Sequence, residues 1–315
     1  MPQNVLITGG AGFIGSHVGE ALLARGDRVT VLDNFNDYYD PAIKRANLRA
    51  LPGAVVVTGD IRDRALVTRL FADGRFDAVI HLAAMAGVRP SILDPLHYED
   101  VNVRGTLHFL EELKARPKTR FVFASSSSVY GDRANTPFRE IDDIHNPVSP
   151  YAATKRAGEL ISWTYHHLYG IPTSCLRFFT VYGPRQRPEM AIHKFVKAML
   201  DGKPIPFYGD GSTRRDYTYV DDIVDGVVRA LDRCAGYEIY NLGESATTSL
   251  QELVGIIGEA CDKTPILDRQ PMQPGDVLVT YADVTKARKM LGYDPHTSVR
   301  EGVERFVRWY RAETR

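Results

Sequence analysis

Cysteine is scarce: the 315 residues contain three, Cys175, Cys234 and Cys261. They are widely separated, odd in number and without metal-ligand spacing, which argues against a disulfide framework and against a metal site. They read as reduced, packed thiols. Net charge is absent too, since thirty-nine Lys and Arg balance thirty-nine Asp and Glu. No overall field draws the chain to nucleic acid or to a membrane surface, so any anion has to be bound locally. No run approaches the ~20 uninterrupted apolar residues of a membrane span. The N-terminus enters a structural motif at once, without a signal peptide, and a cytoplasmic location is the expectation. Internal repeats and low-complexity tracts are missing as well. The remaining composition, 44% apolar and 25% charged, is that of an ordinary globular protein able to bury a sizeable core in one large domain or two.

The first third of the chain alternates short β-branched runs with amphipathic stretches: "NVLITGG", residues 13–25, "RVTVLDN", "AVVVTGD", residues 62–73 and "DAVIHLAA". Strands apolar on both faces, separated by helices, predict a parallel sheet covered on both sides, an α/β doubly wound fold of Rossmann type. A helix is predicted over residues 98–116, then the strand "RFVFASSSS", a helix from about Pro150 to Tyr169 and the strand "TSCLRFF". After Tyr182 the Pro-, Gly- and Arg-rich segments "GPRQRPEM" and "KPIPFYGDGSTRRDY" interrupt the periodicity, as in a smaller, loop-rich α/β domain. "YEIYNLG" is strand-like again. The predicted division is a dinucleotide-binding domain over 1–180 with a return segment at about 217–247, interleaved with a substrate domain over 181–216 and 248–315.

"ITGGAGFIG" sets Gly9, Gly12 and Gly15 between the first strand and the first helix. Glycine there allows a tight turn and lets the helix N-terminus face a pyrophosphate. The second strand ends in Asp33, whose carboxylate can accept from adenosine ribose hydroxyls, which favours NAD over NADP. Asp60 and "HLAA" at 81–84 follow the third and fourth strands, where open α/β sheets bind ligands. Asp60 is a candidate for the adenine edge, and His81, inside an apolar strand, reads as a core histidine. Phe13, Ile14, Asn34, Ile61, Leu82, Ala83, Ala84, Ser125 and Phe178 flank these motifs and are expected to line the same groove.

"YAATK" sets Tyr151 and Lys155 four residues apart at a helix start, on one face. A tyrosine is a poor base at its ordinary pKa of about 10, and a neighbouring ammonium favours the phenolate. The serines 125–128 before "VYG" supply hydroxyls at the preceding strand end. Together they read as a proton-transfer device beside a hydride acceptor.

GGAGFIG, Asp33, HLAA, the serine cluster before VYG and YxxxK, in this order, resemble the extended short-chain dehydrogenase/reductase family of nucleotide-sugar epimerases, dehydratases and decarboxylases. The resemblance implies a bound NAD, a nucleotide-sugar substrate, Tyr151 as base, Lys155 as its partner and nicotinamide-ribose ligand, and Ser126 as the hydroxyl bridging substrate and tyrosine. It also implies a homodimer, through helices 98–116 and 150–169 paired with their copies. Positions 127 and 128 are serines where the 4,6-dehydratases resemble T-D-E-V-Y-G and the decarboxylases T-S-E-V-Y-G. Without that carboxylate the site should oxidise, hold and reduce again, which is epimerisation.

Residues 33–48 and 176–191 resemble UDP-glucuronate 4-epimerases. A sugar carboxylate needs a donor-rich pocket. Arg185 is the favoured candidate, with Arg187 and Arg89 behind it, and Ser127, Ser128 and Thr180 as companions. By the resemblance, Arg215 aligns with a diphosphate ligand and Asp276 with a residue near the uridine ribose. Gln273 departs from an arginine common in relatives, and Arg214 or Arg269 could replace that contact. A UDP-glucose or UDP-N-acetylhexosamine 4-epimerase, a UDP-glucuronate decarboxylase and a non-catalytic dinucleotide sensor remain as alternatives.

Overall fold

The computed structural model describes residues 2–272 and 277–314. Seven strands form one parallel sheet: β1 (Asn4–Thr8), β2 (Arg28–Asp33), β3 (Val55–Thr58), β4 (Ala78–His81), β5 (Arg120–Ser126), β6 (Thr173–Phe178) and β11 (Tyr237–Leu242). Their spatial order is β11-β6-β5-β4-β1-β2-β3. Between β6 and β11 lie β7 (Thr180–Tyr182), β8 (Ile205–Tyr208), β9 (Arg214–Arg215) and β10 (Tyr217–Tyr219), followed by β12 (Thr248–Ser249) and β13 (Leu267–Gln270). These short strands pair as β7 with β10, β9 with β12 and β8 with β13.

The helices are α1 (Phe13–Ala24), α2 (Pro41–Asn47), α3 (Arg64–Asp73), α4 (Val88–Leu93), α5 (Pro95–Glu99), α6 (Gly105–Lys114), α7 (Pro150–Tyr169), α8 (Ala191–Leu200), α9 (Val220–Asp232), α10 (Leu250–Cys261), α11 (Thr285–Leu291) and α12 (Val299–Glu313). Alternation along the strands explains the layers, because successive side chains point to opposite faces. Val5 and Ile7 pack in one apolar cluster with Val18 and Leu22 of α1 and Val227 of α9. Leu6 between them belongs to a second cluster with Phe71 of α3 and Phe109 and Leu113 of α6. Both sheet faces are therefore covered, as the uninterrupted apolar strands require.

Strand order reverses between β1 and β4, so the crevice of an open α/β sheet forms at their carboxyl ends. "YEIYNLG" returns to this sheet as β11, parallel to β6. The predicted helix 98–116 differs: it begins at Pro95 and passes through a π-helical turn over Asp100–Arg104 before α6. Asn102 sits in that turn, its Oδ1 accepting from Met85 N at 2.7 Å and its Nδ2 donating to Met85 O at 2.9 Å. A wider turn there ties the loop after β4 to the helix, the placement such turns favour.

Candidate active site

The glycine turn leaves no room for side chains. A Cβ on Gly15 would stand 2.3 Å from Gly9 O, and one on Gly9, whose φ is +69°, would stand 2.8 Å from Ala83 N. The turn delivers the N-terminus of α1 to the crevice without any acidic residue in its first turn, open to a phosphate. Asp33 closes the far side, 7% exposed, with Oδ2 accepting from Ala11 N at 3.1 Å and Oδ1 from Phe35 N at 2.9 Å. Along this one cleft lie Gly9, Gly12, Phe13, Ile14, Gly15, Asp33, Asn34, Ile61, Leu82, Ala83, Ala84, Ser125, Tyr151, Lys155 and Phe178. A backbone cradle at one end, the Asp33 carboxylate beyond it and a Tyr–Lys pair at the other end fit a dinucleotide.

The chemical end of the cleft is built by β5 and α7. β5 runs out at Ser126, whose side chain accepts from Ser128 N at 3.2 Å and caps a 3₁₀ turn over Ser127–Tyr130. That turn carries the Ser127 and Ser128 hydroxyls into the cleft, with Ser128 Oγ 3.0 Å from Ser126 Oγ. α7 opens with Ser149 as its N-cap and Pro150 in the first turn, which sets Tyr151 and Lys155 on the side facing the serines.

Burial raises the Tyr151 hydroxyl above its ordinary value, while the Ser126 hydrogen bond and the Arg187 charge pull it back. Lys155 is 4% exposed and donates to Ala124 O at 2.7 Å, and burial brings its ammonium down to about 7. One donor of the Lys155 ammonium is taken by the end of β5, and the Arg187 guanidinium acts on Tyr151 alongside Ser126. His81 is a core residue as expected, hydrogen-bonded to Thr8 and Thr106 and brought to about 3 by burial.

Behind the serines runs a buried polar chain. Ser125 Oγ donates to Glu159 Oε1 at 2.6 Å, and Glu159 forms a two-point pair with Arg177 at 2.8 and 2.9 Å. Arg177 Nη1 donates to the Tyr130 hydroxyl at 2.9 Å, and that hydroxyl donates to Asn241 Oδ1 at 2.7 Å. β5, α7, β6 and β11 are thus joined under the catalytic end.

On the substrate side Ser127, Ser128 and Thr180 line the cleft, but the favoured arginine does not. Arg185 turns away onto α1, where it pairs with Glu20 and hydrogen-bonds His17. Two residues on, Arg187 faces the cleft. Its Nε lies 2.9 Å from Glu189 and its guanidinium stands over the Tyr38 ring at 5.7 Å. The two side chains leave this turn on opposite sides, Arg185, with a φ of +64°, toward α1 and Arg187 toward the cleft.

Arg89 lies outside the cleft lining, its guanidinium over the ring of Tyr208 at 5.8 Å. Arg215 also lies outside it, donating to Arg214 O at 2.9 Å along β9. Arg214 is engaged with Thr247 and Glu252, and Arg269 lies over Phe207 at 5.0 Å. Asp60 stands at the rim, held by Arg62 and Asn34 and lowered to about 2, first by its Arg62 hydrogen bond. Asp276 and Gln273 lie outside the described residues.

Tyr38, Tyr39 and Lys44 enter the cleft unforeseen. They belong to the segment around α2, where Asp40 caps the helix and Lys44 Nζ returns to Asn36 O at 2.9 Å. The resemblance of residues 33–48 to UDP-glucuronate 4-epimerases marked this segment, but it gave no direction for its side chains.

The chain matches the family model described as GDP-mannose 4,6 dehydratase over residues 6–306. It is 45% identical to UDP-glucuronate 4-epimerase 1 of Arabidopsis thaliana, across 98% of this chain and 76% of that protein. Among solved structures it resembles the UDP-glucuronic acid 4-epimerase of Bacillus cereus in complex with UDP-glucuronic acid and NAD, with a TM-score of 0.91, 35% identity and coverage of 98% and 99% of the two chains. The UDP-glucose 4-epimerase of Thermotoga maritima with UDP-glucose gives a TM-score of 0.91 at 33% identity, covering 99% and 100%. With the glycine turn, Asp33 and the Ser–Tyr–Lys end in one cleft, and with likeness over nearly its whole length, the chain belongs to the extended short-chain dehydrogenase/reductase family matched by the GDP-mannose 4,6-dehydratase model.

Proposed function

We propose that this protein is an NAD-dependent nucleotide-sugar 4-epimerase that interconverts UDP-glucuronate and UDP-galacturonate. The observation that carries the choice of sugar is the convergence on one cleft of Tyr151, the hydroxyls of Ser127, Ser128 and Thr180, and the Arg187 guanidinium. A guanidinium among hydroxyl donors suits a carboxylate, and it is not needed for a neutral hydroxymethyl group. The relatives support the reading, since one is named for UDP-glucuronate epimerisation and another is described with UDP-glucuronic acid and NAD.

The residues divide the work. The glycine turn and the start of α1 would hold the pyrophosphate, Asp33 the adenosine ribose and Lys155 the nicotinamide ribose. When bound, NAD supplies the hydride acceptor and then the donor, so the reaction has no net redox change. Tyr151 takes the proton of the sugar 4-hydroxyl and later returns it, with Ser126 bridging the two oxygens. The field of Arg187 opposes the burial that keeps Tyr151 protonated. The 4-keto sugar is a β-keto acid and loses carbon dioxide if its carboxylate bond aligns with the carbonyl π system. Ser127, Ser128, Thr180 and Arg187 restrain the carboxylate from that alignment.

Product analysis with purified protein and UDP-glucuronate tests the proposal. UDP-galacturonate is the expected product. UDP-pentose with carbon dioxide overturns it in favour of decarboxylation, and equal turnover of neutral UDP-hexoses overturns the choice of sugar. NAD binding with no turnover of any nucleotide sugar indicates a sensor. Tyr151→Phe should abolish turnover with the circular dichroism spectrum unchanged. Arg187→Ala should raise KM for UDP-glucuronate by about 10–100-fold, the worth of a charge-assisted contact.

A homodimer in the cytoplasm completes the reading. Leu93 and Leu96 on α4 and α5 are 87% and 79% exposed, and Leu160 and Trp163 on the neighbouring α7 are about half exposed. Among the described residues no helix is long and apolar enough to cross a membrane, and a second copy of this chain is the occupant proposed for this face.

A further inference from the structure

Arg185 occupies a position that its own backbone disfavours. The turn Gly183–Pro184–Arg185–Gln186 closes with Gln186 N donating to Gly183 O at 3.1 Å. Proline is second in the turn and the third residue has a φ of +64°, the place where such turns normally take glycine. A long, charged non-glycine residue persists there only where its surroundings hold it, and they do. Its Nη2 reaches His17 Nδ1 at 2.6 Å and pairs with Glu20, one turn further along α1. Burial keeps His17 neutral at physiological pH, with its pKa down to about 3, and its Nε2 lies 2.9 Å from Pro184 O and 3.1 Å from Arg185 Nε.

The clamp therefore grips the arm by side chain and by backbone. His17 in turn lays its ring edge-on to Phe13, the cleft-lining residue that begins α1, at 5.9 Å. The other side of the arm is fastened to α8, where His193 Nδ1 contacts Gln186 O at 2.7 Å. Arg187 follows directly after these fastenings and lines the cleft.

We propose that Arg185 is a positioning residue for substrate recognition: its clamp on His17 and Glu20 fixes the 183–190 arm to α1 and thereby holds Arg187 over the sugar site. The proposal rests on the reading of Arg187 as the carboxylate ligand. It gives the two arginines of "GPRQR" separate tasks, one anchoring the arm to the cofactor helix and one contacting the ligand. The helix that receives the dinucleotide pyrophosphate thus also aligns the group that selects an acidic sugar.

Steady-state kinetics of the full-length, NAD-loaded protein test it. Arg185→Ala should raise KM for UDP-glucuronate about tenfold, the cost of a ligand misplaced by a fraction of an ångström, and leave kcat within about twofold. Inhibition by UDP, which has no sugar carboxylate, should not change. Glu20→Ala, at a half-exposed position of α1, should act in the same direction and more weakly. In an Arg187→Ala background Arg185→Ala should add nothing, because both changes then remove the same contact. Full additivity of the two, or an equal loss of UDP inhibition, overturns the proposal in favour of a general structural role. Hydrogen exchange tests the clamp without any substrate. Faster exchange of residues 183–190 in Arg185→Ala supports it, and unchanged exchange overturns it. If the wild-type protein does not turn over UDP-glucuronate, the choice of sugar falls, and the exchange result alone decides the clamp.

Discussion

Lys155 shows what a functional position costs at the scale of one residue. Its ammonium is buried with one carbonyl partner, and its pKa falls from 10.5 to about 7. A depressed lysine binds fewer protons folded than unfolded between those values, so the protein should gain stability as pH rises from about 7 toward 10.5. Below about 7 the full penalty is present. Lys155→Met should therefore stabilise the cofactor-free protein at pH 7 by about 2–4 kcal/mol and flatten the alkaline rise, while activity is lost. Thermal unfolding of both proteins from pH 6 to 10 checks this, and a variant no more stable than the wild type would sink it. Tyr151 belongs to the same scale, since burial raises it while Ser126 and Arg187 oppose that.

The elements matter through what fastens them. The 3₁₀ turn that presents Ser127 and Ser128 is short and has little intrinsic stability. Its orientation comes from the Ser125–Glu159–Arg177–Tyr130 chain, in which Glu159 and Arg177 are 0% and 1% exposed. A buried ion pair is a weak source of net stability, yet removing one partner leaves an unpaired charge. Arg177→Met alone should cost about 3–5 kcal/mol by denaturant midpoint. Arg177→Met with Glu159→Leu should recover much of that loss, yet leave kcat well below wild type. Full activity in the double variant would show that the pair has no part in aligning the serines.

At this scale the sequence was readable where period decides structure and silent where contacts decide it. β1, α1, β2 and α7 fell near their predicted bounds, because β-branched runs, the glycine turn and the Ser149–Pro150 start are local signals. The π turn at Asp100–Arg104 was not legible, since it exists to let Asn102 reach Met85, a contact formed only in the fold.

For the whole molecule, the exposed apolar residues of α4, α5 and α7 predict a dimer in light scattering at twice the chain mass. Leu96→Glu with Trp163→Glu should shift that mass to one chain without loss of helicity. A wild-type protein that scatters as a monomer at every concentration tested would refute the dimer.

The sequence by itself determined the parallel sheet, the dinucleotide cleft and the Ser126–Tyr151–Lys155 end, because glycine spacing, strand-end residues and helical offset act over a few residues. It also named both arginines of the arm, Arg185 and Arg187. Only the tertiary structure decided which of them faces the cleft. The turn at Arg185, the approach of α1 and the packing of α8 set the direction of each side chain, and side-chain direction in a loop follows from what surrounds it, not from its neighbours in sequence.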